Sequence, residues 1–118
     1  GSARIGTVSD AGTALTAQES GKLVQPDGKP LHKAAIRDAA WWRPADLTNK
    51  TTLLALASED GTASVWNVTD PASPKQVRHL RGHQGRIWRI AWNEDGTRIA
   101  TASEDKTARL WQFDPTGL

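Results

Sequence analysis

The sequence predicts an all-β protein assembled from repeated four-stranded antiparallel sheets. Three observations predict it. The stretches "LLALASEDGTASVW" at 53–66 and "RIATASEDKTARLW" at 98–111 are near-copies at a constant offset of 45 residues, the step from Asp60 to Asp105 and from Trp66 to Trp111. Self-similarity at that period is the mark of a repeat architecture. Within each copy, short runs rich in Ile, Thr, Ala and Trp are broken by Asp60-Gly61, Asp95-Gly96 and Glu104-Asp105-Lys106, which are turns that join antiparallel strands. No 10-residue window carries the apolar stripe of a helix.

The elements follow in order. "RIGTVSDAGTALTA" at 4–17 lies 94 residues before "RIATASEDKTARLW" and keeps Arg4, Ile5, Thr7, Ser9, Thr13 and Ala14 in register, with Ala11 and Ala17 where later copies have the aspartate and the tryptophan. It predicts weak strands near 4–8, 13–17 and 22–25, and a degenerate partial unit over 3–31. A complete unit is expected over 32–81, with strands near 35–41, 53–58, 62–68 and 75–80. Its opening, "LHKAAIRDAAW", aligns with "GHQGRIWRIAW" at an offset of 51, pairing His32 with His83, Ile36 with Ile87 and Trp41 with Trp92. The offset grows by six because "WRPADLTNKTT" replaces the tight turn "NEDGT", so this unit carries a longer first loop. The prolines of "TDPASP" at 69–74 forbid helix and central strand. The last unit, 82–114, predicts strands near 86–92, 97–103 and 107–113 without an outer strand, and 115–118 is a tail.

Composition narrows the chemistry. At 118 residues and 12.8 kDa the chain is one domain or a piece of one. The absence of Cys excludes disulfides, thiolate metal sites and a cysteine nucleophile. No run approaches the roughly 20 apolar residues of a membrane span, so no membrane partner is expected and the cytoplasm is the default compartment. Only His32, His79 and His83 offer nitrogen ligands, none at the helical spacing of a zinc site, so no metal is expected. His79 reads as a surface residue ending an outer strand. "GTALTAQESGK" lacks Walker spacing, and no cofactor is expected. The net charge is +2, but Arg78, Arg81, Arg86, Arg89, Arg98 and Arg109 crowd the C-terminal third with His79 and His83. Arginines alternating along exposed strand faces are the reading preferred here. A nucleic-acid surface over 78–109 is the alternative.

Gly82-His83, an apolar inner strand, an Asp-Gly turn, "ATASEDKTARLW" and a closing tryptophan together resemble WD40 repeats, strongly over 82–113, well over 31–68 and weakly over 4–30. Asn67 and Gln112 stand where that family often has the aspartate of a Trp-Asp pair. The resemblance implies a β-propeller, here about two and a half blades of an incomplete ring, in which each repeat supplies three strands of one blade and the outer strand of its neighbour. It also implies a protein-interaction scaffold rather than an enzyme, with no catalytic residue.

The repeat's own chemistry points the same way. A loop histidine, a buried hydroxyl, a turn aspartate and a strand tryptophan form one polar network that satisfies groups costly to bury. The expected members are His32, Ser58, Asp60 and Trp66 in the middle copy, and His83, Thr101 or Ser103, Asp105 and Trp111 in the last. A hydrolase built on His83 and Asp105 is the competing reading, and it loses because the set recurs once per repeat. Residues beside the histidine loops and tight turns are the expected partner contacts: Lys33, Arg37, Glu59, Gln84, Arg86, Trp88 and Glu104. Trp88 packing between blades is the rival to its role as an anchor, whereas Trp41, Trp66, Trp92 and Trp111 read as core. A blade cannot bury both faces alone. The remainder of a larger propeller, or further copies of the chain giving six or eight blades, is therefore expected to close the ring.

Overall fold

The computed structural model describes residues 3–11 and 14–117, organised as nine strands and a terminal 3-10 turn. The first two strands, β1 (Ala3–Ala11) and β2 (Ala14–Leu23), form a two-stranded antiparallel hairpin. A four-stranded meander follows: β3 (Ile36–Trp42), β4 (Leu53–Ser58), β5 (Ala63–Asn67) and β6 (Lys75–Leu80). A three-stranded meander ends the described sheets: β7 (Ile87–Trp92), β8 (Arg98–Ser103) and β9 (Ala108–Gln112). The seven strands read from the two clear repeats appear where the turn residues place them, within a residue at each end.

The N-terminal segment departs from expectation. In place of strands near 4–8, 13–17 and 22–25 there is one long hairpin paired from Ala3↔Leu23 to Ala11↔Ala14, with a bulge between Ile5 and Gly6. Thr13, the first residue of the expected second strand, lies outside the described residues with Gly12. In sequence, Ala11 stands where the other copies have Asp60 and Asp105. No separate strand forms near 22–25, because the chain reverses at Gln25–Gly28, where Gly28 N–H donates to Gln25 O at 2.8 Å, and Val24 only bridges Pro30.

Sheet stacking explains the burial pattern. Every residue of β4, LLALAS, is buried, although strands cannot point all side chains one way. Leu53, Ala55 and Ala57 pack with Ala63 and Val65 against Ile87, Ile90, Ile99 and Phe113 of the third sheet. Leu54 and Leu56 pack with Trp66 and Val68 against Ile5 and Leu23 of the hairpin. A strand covered on both faces reads as a continuous apolar run. The equivalent strand β8 alternates: Ile99 and Thr101 are buried, while Arg98, Ala100 and Ala102 are exposed.

The seam between the second and third sheets is polar as well as apolar. Ile90 N–H donates to Asp38 Oδ2 at 2.9 Å and Trp92 Nε1–H to Ala40 O at 2.9 Å, so the inner strands β3 and β7 are clipped side by side. Trp92 also meets Trp42 and Phe113, with ring centroids 6.1 and 5.4 Å away. Trp41, its counterpart in sequence and read as core, is 57% exposed. Among the described residues no strand lies beside β3 to play the part that β3 plays for β7, and that indole is left open.

Candidate functional site

Two near-identical polar networks tie the loops to the strands at one end of the sheets. In the third sheet, Trp111 Nε1–H donates to Thr101 Oγ1 at 2.9 Å, Thr101 Oγ1 lies 2.7 Å from His83 Nε2, and His83 Nδ1 lies 3.0 Å from Asp105 Oδ2. Because an ionised carboxylate only accepts, His83 Nδ1 carries the proton that faces Asp105, while the Thr101 hydroxyl, which accepts from the Trp111 indole, sits at Nε2. The second sheet repeats the order with Trp66, Ser64, His32 and Asp60, at 2.8, 2.7 and 3.0 Å.

The hydroxyl in the second sheet is therefore Ser64 and not Ser58. Ser58 Oγ donates to the carbonyls of Ala34 and Ala35 and accepts from Asp60 N–H, and Ser103 does the same work toward Gly85, Arg86 and Asp105. Both serines buckle the tight turn onto the loop before the inner strand. Ser64 had a signal in the sequence: Leu56 occupies the position of Thr101, so that position has no hydroxyl to give. Ser64 is the direct cross-strand neighbour of Leu56, as Arg109 is of Thr101. Either member of that pair reaches the histidine.

Burial and bonding set the charges. Burial drives the His32 pKa down against the pull of Asp60, so the ring is neutral. Burial acts to raise Asp60, but the Thr62 hydroxyl and backbone N–H, His32 and Lys33 N–H outweigh it and bring it to about 2. Asp105 is held well below the usual carboxylate range, chiefly by the Thr107 hydroxyl and then Gln84 N–H. The two histidine side chains are only 2% and 0% exposed. His79 is not a surface residue: it is half-buried, its ring set edge-on to His32 with centroids 5.9 Å apart, and Arg81 donates to its Nδ1. Ser64 and His79 are paired across β5 and β6, which turns that ring toward the network.

Over these networks lies the candidate surface. Arg37 bonds Glu59 at 2.7 Å, Arg86 reaches the same Glu59 oxygen at 3.2 Å across the seam, and Arg86 also holds Glu104 at 3.1 Å. Arg37's bond holds the Glu59 carboxyl below its ordinary pKa. Trp88 lies 39% exposed on β7, and the Arg37 guanidinium sits over its ring at 5.2 Å. The structure thus joins Arg37, Glu59, Arg86, Trp88 and Glu104 in one row spanning two sheets. Lys33 and Gln84 do not join it: their backbone N–H groups bond Asp60 and Asp105, and their side chains are exposed beside it.

The arginines of 78–109 do not form one patch. Arg78 sits over Phe113, Arg81 bonds His79, Arg86 is in the ion-pair row and Arg109 sits over Trp111. Among the described residues no group of His, Asp and Glu is placed to hold a metal ion, and no helix is long and apolar enough to cross a membrane.

Meanders stacked face to face, each with a tryptophan in its third strand bonded through a hydroxyl and a histidine to a turn aspartate, are β-propeller blades. Residues 74–112 match the family model for the WD domain, G-beta repeat, so the chain carries a WD40 repeat there. A relative from Vanderwaltozyma polyspora, "Probable cytosolic iron-sulfur protein assembly protein 1", is 30% identical across 97% of this chain and 35% of its own length. The Chaetomium globosum "Protein transport protein SEC13" is 34% identical over 73% of this chain and 29% of its own. A solved chain from the Chaetomium thermophilum Polycomb Repressive Complex 2 superposes with a TM-score of 0.62 at 30% identity, covering 87% of this chain and 21% of that one. The chain spans about a third or less of the length of these relatives.

Proposed function

We propose that the chain is a protein-binding segment of a β-propeller scaffold whose partner docks on the row Arg37, Glu59, Arg86, Glu104 and Trp88. The single observation that carries this is the continuity of that row across the blade seam beside an exposed indole. Aromatic and arginine side chains are the usual anchors of interface hot spots. Mutually paired arginines and glutamates keep their side chains ordered before a partner arrives, which reduces the entropy lost on binding.

The relatives named above work in cytosolic iron–sulfur protein assembly, protein transport and a repressive complex. Their common element supports a scaffold built into assemblies, and the first name supports a cytoplasmic setting. The outer face of the third sheet supports closure by another blade. Ala100, Ala102, Ala108 and Leu110 are exposed there, whereas their counterparts Ala55, Ala57, Ala63 and Val65 are wholly buried beneath the next sheet.

The test is retention of cellular partners on the immobilised chain. Partners bound by the native chain are expected to be lost on Trp88→Ala combined with Arg86→Glu, with melting temperature changed by only a few degrees. Retention of the same partners by that variant overturns the assignment.

A further inference from the structure

The loop between β3 and β4, residues 43–52, is longer than its counterpart between β7 and β8, residues 93–97, and it builds a cleft at the end of the sheets opposite the histidine networks. The cleft has a volume of about 940 Å³, a size that accommodates a ligand or several peptide side chains. Its walls are Trp42, Pro44 and Asn49 from the loop side, Glu94 and Asp95 from the β7–β8 turn, and Pro115 from the chain's last turn.

The site is built in advance. Asp46 Oδ1 accepts from Thr48 N–H and its hydroxyl, Asn49 Oδ1 accepts from Thr51 N–H, and Arg43 Nε–H donates to Thr52, so the loop is braced by its own side chains. Trp42 is fixed from the other side. Its Nε1–H donates to Glu94 O at 2.9 Å, and its ring lies so close to Gly96 that a Cβ there would come within 2.4 Å of it. In the other copy Asn93 takes the place of Trp42, so this indole belongs to the loop-bearing blade alone.

Charge selects the occupant. Among the described residues the ionisable groups lining the cleft are two acids, Glu94 and Asp95, with no cation in the lining. Asp95 is engaged by Thr97 and has Arg98 as a neighbour outside the lining, whereas the Glu94 carboxylate makes no hydrogen bond or ion pair among the described residues. A rigid indole beside carboxylates fits a planar cation better than a compact one, because a guanidinium stacks on the ring while its edge bonds the acids. Two proline rings add apolar wall for the neighbouring side chains.

We propose that this cleft binds an arginine-bearing, apolar segment of a partner protein, the guanidinium lying between the Trp42 ring and the carboxylates of Glu94 and Asp95. The site is separate from the Trp88 row and stands whether or not that row binds a partner. Titrating the 118-residue chain with an acetylated, amidated hexapeptide alternating leucine and arginine, and following the Trp42 indole N–H by NMR, tests it. The expected result is a saturable shift at Trp42 whose affinity falls about tenfold or more with the citrulline peptide, and by a similar factor in Glu94→Gln/Asp95→Asn. The Trp66 signal, from an indole packed in the hairpin-facing core and bonded to Ser64, stays in place and reports an intact fold. No saturable shift, equal binding of the citrulline peptide, or unchanged affinity in the double variant overturns the proposal.

Discussion

Ser64 and Thr101 do the same work from opposite members of a cross-strand pair, which makes each hydroxyl the pivot of its network. Replacing Ser64 by Ala leaves the buried Trp66 N–H without its acceptor and His32 Nε2 without its donor. The expected loss is about 1–3 kcal/mol in denaturant unfolding, and Thr101→Ala behaves alike. Ser58→Ala, which spares the histidine, costs less, and equal costs for Ser58→Ala and Ser64→Ala contradict the assignment. Protonation acts on the same residues. Burial lowers the His32 pKa, so the unfolded chain takes up a proton near the ordinary 6.5 before the folded one does. That stability is full above this pH and falls as pH drops through it. Asp60, lowered to about 2 from 3.8, adds stability that is complete above the unfolded value and lost on acidification below it. Melting temperature followed from pH 8 to 3 is expected to decline in these two stages, and a rise on acidification would sink the account.

At the scale of the element, the β4–β5 and β8–β9 turns share one conformation and different residues. Gly61 has φ 85° and Lys106, its counterpart, φ 71°. A lysine in the left-handed region is strained, and Lys106→Gly is expected to stabilise the chain by about 0.5–1 kcal/mol after the larger unfolded-state entropy of glycine is discounted. Gly61→Ala acts in the opposite sense. A Cβ there would lie 3.2 Å from Gly85 O and 3.3 Å from His83 O of the next blade, so the substitution adds backbone strain and crowds the seam. Thermal melts of the two variants are expected to shift in opposite directions. The strands themselves were legible because Asp-Gly turns and near-identical copies fix their register. The N-terminal hairpin was not, because Ala11 removed the signal that fixes where the chain turns.

At the scale of the whole molecule, one seam serves as the template for the others. The face of the second sheet that the third sheet covers is rebuilt on the third sheet with Ala100, Ala102, Ala108 and Leu110, and Leu110 is 74% exposed. Apolar sheet faces of this kind drive association in water. Sedimentation of the chain is expected to show species heavier than 12.8 kDa that lighten on Leu110→Lys. A single species of that mass, indifferent to the substitution, would refute closure by a further blade.

By itself the sequence determined the repeat, its strands, and the histidine, aspartate and tryptophan of each network, because these depend on local turn chemistry and on alternation along a strand. Only the tertiary structure decided that Ser64 replaces Thr101's hydroxyl, that Trp41 is bare while Trp92 is packed, and that Trp42 floors an acidic cleft. Each of those outcomes depends on what lies across a strand pair or a sheet seam. Residues that meet there, such as Trp42 and Gly96, are distant in the chain, and no local pattern records their contact.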